Sequence, residues 1–186
     1  MSHNLPHTLA AATLAATCLA APAAQALTFH MESSGTSQVV AVIDPLIPIL
    51  RFATQTEGSG GLGITGYLST DEVNMATGQG SGSNRFVASN GDELLGTFTV
   101  QVIPTATPGS LRIEGLTHFQ GGSGIFDGAT GSASFVGFGN FISDSRALVS
   151  FVHDGSVSLV PEPASAALLL GGLAAVAAAT RRRQAR

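Results

Sequence analysis

Apolar side chains recur at every second residue through much of the chain, and a period of two restricts such segments to β-strands. From Leu95 to Ile103, Phe98, Val100 and Val102 fall on one side while Thr97, Thr99 and Gln101 fall on the other. Leu111 and Ile113 oppose Arg112 and Glu114, and Ala147, Val149 and Phe151 oppose Leu148, Ser150 and Val152. Val157 and Leu159 alternate with Ser156 and Ser158. Successive strand side chains point to opposite faces, so each run has one face suited to a core. Phe135 opposes Val136 and Phe138, which predicts a strand apolar on both faces. No long stretch between Leu27 and Val160 holds the 3.6-residue period of a helix.

The punctuation fits strands in hairpin succession. Residues 27–160 contain 21 glycines, about twice the usual share. Asn90-Gly91 reads as a turn, because glycine accepts the positive φ such turns require. Asp154-Gly155 reads as a two-residue hairpin for the same reason. Pro104 to Gly109 forms a longer connection, and the two prolines of Asp44-Pro45-Leu46-Ile47-Pro48 break the early strand run. Gly58 to Gly63 is glycine-rich with no helix after it, and reads as a loose connection into a strand over 62–68. Thr77 to Asn84, Thr-Gly-Gln-Gly-Ser-Gly-Ser-Asn, reads as a mobile loop on composition. The expected fold is all-β: an antiparallel barrel or sandwich of about eight strands. Closure into a barrel would remove exposed edges.

Both ends of the chain differ from this middle. At the C-terminus Pro161-Glu162-Pro163 is followed by an apolar run from Ala164 to Thr180, then Arg181, Arg182, Arg183, Gln184, Ala185 and Arg186. Seventeen residues at about 1.5 Å each make a helix of about 25 Å, slightly short of a ~30 Å hydrocarbon core. Four arginines beyond it would hold the terminus in the cytoplasm. Order and spacing resemble the PEP-CTERM sorting signal of Gram-negative bacteria. The resemblance implies an exosortase-type membrane protease as partner, cutting near Pro161, Glu162 and Pro163. It also implies passage through the inner membrane to the cell surface or extracellular matrix.

At the N-terminus Leu9 to Ala21 is apolar and alanine-rich, and Ala24-Gln25-Ala26 fits a small-x-small signal-peptidase site. Its n-region lacks Lys and Arg. The expected organisation is a signal peptide over 1–26, an exported β-rich domain over 27–160, and the sorting signal with its transmembrane helix over 161–186. Cleavage after Ala26 removes Cys18, the only cysteine, so disulfides have no part in the mature domain.

The exported segment holds eleven carboxylates against four arginines, a net charge of −7, and no lysine. That balance argues against nucleic acid and anionic lipid as partners. His30, His118 and His153 lack paired metal-ligand spacing, and each is expected on a strand surface or end. No G-x-S-x-G elbow, P-loop or dinucleotide fingerprint is present. We therefore expect no catalytic residue, no cofactor and no metal. The segment Phe119 to Ser132 resembles the glycine turn of dirigent-like and allene-oxide-cyclase-like barrels, with Ile125 where those carry arginine. The resemblance implies a barrel in which Phe126 plugs one end and Gly131 starts the next strand.

Two functions are compatible with these residues. The first is a non-catalytic surface or matrix module, biofilm-associated, with exopolysaccharide as a further partner. The second is a small-molecule or isomerase-type barrel of the dirigent or cyclase kind. A connected pocket of a few hundred Å³ would mark the second.

Overall fold

The computed structural model of the chain describes residues 25–44, 46–160, 170–174, 176–177 and 180–181. Eight strands follow one another: β1 (Gln25–Asp44), β2 (Ile49–Gly60), β3 (Ile64–Asn74), β4 (Gln79–Ala88), β5 (Glu93–Pro104), β6 (Ser110–Gly122), β7 (Thr130–Ser143) and β8 (Arg146–Leu159). Each pairs antiparallel with the next, and β8 pairs back onto β1, closing an up-and-down barrel. The closing ladder runs from Gln25 opposite Leu159 to Gln38 opposite Arg146. A closed barrel leaves no edge strand to pair with another chain.

Alternation divides the residues as the pattern predicts. Phe98, Val100, Ala147, Val149 and Phe151 are buried inside. On the two-faced strand Phe135 is buried, while Val136 and Phe138 are exposed outside. The interior falls into two apolar layers. One contains Phe29, Tyr67, Phe86, Phe119 and Phe126; the other contains Val73, Phe98, Phe135, Val149 and Phe151. Ring edges meet ring faces, as in Phe29 on Phe86 at 5.1 Å and Phe98 on Phe135 at 5.7 Å between centroids, the geometry that aromatic quadrupoles favour.

Rings of this size fit because glycines lie opposite them on the inner wall. Gly115 pairs with Phe135, and Gly137 pairs with Phe151. A Cβ at Gly115 would lie 2.5 Å from Phe135 Cζ. The ring occupies the place a side chain would take.

The two ends of the barrel differ. At the end where β1 begins and β8 finishes, a 3₁₀ turn (Gly124–Phe126) tucks Phe126 completely out of solvent. Asp92 Oδ2 accepts the Ile125 N–H at 3.1 Å and fixes that turn. Phe126 thus plugs this end, and Gly131, at φ 138°, lies at the start of β7. The opposite end carries the β1–β2, β3–β4, β5–β6 and β7–β8 connections. Its inner residues Phe52, Met75, Val102 and Phe141 are only half-buried.

Four local expectations need correction. Asp154-Gly155 is not a hairpin: β8 runs through it, with Asp154 outside and Gly155 against Ala133 on the inner wall. Thr77 to Asn84 is mostly β4, not a mobile loop. Its Gly80 and Gly82 face inward against Val73 and Asp71, while Ser81 and Ser83 face out. Gly58 to Gly60 end β2, and only Gly61–Gly63 form a 3₁₀ turn before β3. His153 is not at a surface or end but fully buried. The remaining turns stand where expected. Gly91 has φ 90° between β4 and β5, and residues 105–109 join β5 to β6.

Beyond the barrel, residues 170–174, 176–177 and 180–181 are helical. Most of the expected membrane span lies outside the described residues. Among the described residues no helix is long and apolar enough to cross a membrane.

Candidate functional site

The half-open end of the barrel holds a cavity of about 60 Å³. β3 supplies its polar wall. Tyr67, Ser69, Asp71 and Val73 share the inward phase, so a carboxyl is presented to a lining otherwise dominated by Phe, Val, Met and Ile. Asp71 is flanked across the sheet by Phe52 on β2 and Gly82 on β4. Burial pushes its carboxyl up to about 7, and the neighbouring Ser69 side chain opposes that shift. Ser37 and Thr54 complete the polar side, with Thr54 Oγ1 donating to Ser37 Oγ at 2.9 Å.

Deeper in, Tyr67 is pushed up to about 12 by burial, with Ser69 and Asn84 pulling the other way. Asn84 Nδ2 donates to Thr117 Oγ1 at 3.0 Å, while its Oδ1 has no protein partner. His153 lies between the rings of Tyr67 and Phe135, at 5.0 and 5.3 Å, and neither ring nitrogen has a protein partner. Burial lowers its pKa to about 4, so it is neutral at physiological pH. A neutral imidazole between rings acts here as a packing group.

Among the described residues no arginine faces this interior. Arg51, Arg85, Arg112 and Arg146 are all exposed. Arg51, Arg85 and Arg112 pair on the outer surface with Glu72, Glu93 and Glu114. His30 lies on the outside too, with Nδ1 2.6 Å from Asp154 Oδ1, which raises its pKa. Among the described residues no group of three or more His, Cys, Asp or Glu is placed to hold a metal ion.

The processing residues lie elsewhere. Ala26 sits in β1 opposite Ser158, so cleavage after it trims the first two residues of the closing ladder. Arg181 is helical and exposed. Ala24, Pro161, Glu162, Pro163, Arg182, Arg183 and Arg186 lie outside the described residues. The family model described as the PEP-CTERM protein-sorting motif matches residues 159–183. The chain carries a PEP-CTERM sorting motif. The motif implies export, membrane-associated sorting at the C-terminus and processing by an exosortase. No match was found among curated proteins or among solved structures, so the identification concerns the tail and not the barrel.

Asp71 was not singled out by sequence reasoning. The signal was present in the phase of Tyr67, Ser69, Val73 and Met75, which places Asp71 on the core face. A lone carboxylate among Thr70 and Glu72 looks like part of a solvated face until that phase is followed.

Proposed function

We propose that this chain is an exported β-barrel module that exosortase processing delivers to the surface or extracellular matrix of a Gram-negative cell. There it serves a structural, biofilm-associated role without catalysis. The observation that carries this is the abutment of barrel and signal. β8 ends at Leu159, and the sorting motif is matched from residue 159. Pairing of the barrel begins at Gln25, beside the expected signal-peptidase site. Cleavage at both ends would therefore release a barrel with its strands complete but for two residues.

Its exterior suits an aqueous, glycan-rich setting. A cross-strand ladder of Thr70, Ser83, Thr97, His118, Ser132, Ser156 and Thr28 runs across the outer face from β3 through β8 to β1. Exopolysaccharide offers matching hydroxyl groups as a partner. The alternative, an isomerase-type barrel of the dirigent or cyclase kind, asks for an enclosed pocket several times larger than 60 Å³.

Intact mass spectrometry of surface, medium and membrane fractions tests the processing. A surface or medium species starting at Leu27 and ending between Val160 and Pro163 is expected. A single membrane species still ending in Arg186 would contradict the proposal. Replacing Pro161, Glu162 and Pro163 with alanine should leave the uncut form in the membrane.

A further inference from the structure

The mouth of the barrel joins three features that the sorting motif does not require. A carboxyl, Asp71, faces the lumen, and the described residues that line the cavity with it include no Arg, Lys or His. Its ladder neighbours are Phe52 on β2 and Gly82 on β4, and Thr54 from β2 with Tyr67, Ser69 and Val73 from its own strand line the cavity beside it. His153, on β8, is the other titratable group beside Tyr67 inside, and it is neutral. The cavity opens between half-buried Phe52, Met75 and Phe141. The strand ends and the β1–β2 connection at the same end expose an apolar lip: Val42 is 60%, Leu46 92%, Ile47 50% and Ile142 57% exposed.

We infer that this mouth binds an alkylammonium ion, a primary amine on a hydrocarbon chain. Its ammonium would sit against Asp71, and its chain would pass over Phe52, Met75 and Phe141 to the lip. An ammonium has three donors and no acceptor. Asp71 and the hydroxyl oxygens of Ser69, Thr54, Ser37 and Tyr67 are acceptors on this side of the cavity. The ligand's charge supplies the missing counter-ion for a carboxylate in apolar surroundings. A carboxylate or phosphate ligand would meet like charge and no cation. The enclosed 60 Å³ admits the head and the first carbons, and the rest of the chain stays at the mouth. This site does not depend on the matrix role proposed above.

Protonation gives the inference its signature. Asp71 titrates near 7 in the free protein, whereas an alkylamine stays protonated to about pH 10. Affinity should therefore be level between these values and fall up to tenfold per pH unit below 7.

The test is calorimetric titration of hexylamine into the full chain held in lipid nanodiscs, with empty nanodiscs as the reference. Hexanol, hexanoate and calcium chloride are run beside it. We expect saturable hexylamine binding at pH 8, at least tenfold weaker binding at pH 5.5, and at least a tenfold loss in Asp71→Asn. Glu72→Gln, on the outer face of the same strand, should bind as the wild type does. The pH series on unaltered protein keeps the test valid if a variant fails to fold. The inference is overturned by an absence of saturable binding, by hexanol or hexanoate binding as tightly as hexylamine, or by unchanged affinity in Asp71→Asn. Displacement of hexylamine by an equal concentration of calcium would also overturn it, in favour of an inorganic cation.

Discussion

At the scale of single residues, two titratable groups inside the barrel, His153 buried and Asp71 half-buried, oppose each other across pH. His153 has a folded pKa near 4 against 6.5 in a free chain. The unfolded state binds its proton first, so stability is lost as pH falls below 6.5, by about 2 kcal/mol at pH 5. Asp71 has a folded pKa near 7 against 3.8. Here the folded state binds the proton first, so stability rises as pH falls from 7. Solvent at the mouth reduces the size of that gain. His30, raised by Asp154 on the outer surface, acts in the same direction as Asp71. The wild type should thus show a shallow stability profile between pH 7 and 5. His153→Phe, placed among rings that already accept an aromatic, should become more stable on acidification. Asp71→Asn should become less stable over the same interval. Urea midpoints measured across the interval check this, and parallel slopes for the two variants would contradict it. Neither group was legible as inward-facing in the sequence. His153 follows Phe151 in the inward phase, but Asp154-Gly155 suggested that the strand ended there.

At the scale of elements, the glycines explain both what was read correctly and what was not. In the sequence, high glycine content reads as punctuation, and at Gly91 it is. At Gly82 and Gly155 it is inner wall opposite Phe98 and Phe29, because a narrow barrel filled with phenylalanine needs strands without side chains opposite the rings, and Gly80 fits in the same way between Val73 and Val100. Composition does not distinguish these uses; the facing residue does. Gly137→Ala would drive a methyl into Phe151 and the neighbouring strand backbone. A cost of about 2–3 kcal/mol follows for overpacking of this kind, a fall in melting temperature of several degrees. Gly66→Ala, where a Cβ would meet only Val87 at ordinary contact distance, should change it little. Phe126→Ala should cost about 3–5 kcal/mol by emptying the plug. Thermal melts of the three variants rank these effects, and a Gly137→Ala protein as stable as Gly66→Ala would refute the ring-over-glycine account.

At the scale of the whole molecule, closure decides most properties. β1 and β8 are the most distant strands in sequence and are paired over fourteen positions. Contacts so remote in sequence make folding slow, on the millisecond-to-second scale of β topologies. Residues 27–160 alone should refold in one cooperative transition, and truncation at residue 150 should abolish it by opening the barrel. Circular dichroism of the two fragments distinguishes these outcomes; an intact melt for the truncated chain would mean that closure is dispensable. The strand class, the inward and outward faces of most strands and the sorting tail are legible in the chain alone. These depend on local period, local turn chemistry and a contiguous motif. Strand pairing in three dimensions is what selects barrel over sandwich, makes a glycine-serine stretch into β4, buries His153 and brings Asp71 into an apolar mouth. Those outcomes depend on which strand lies beside which, and register is a property of pairs of strands rather than of any one of them.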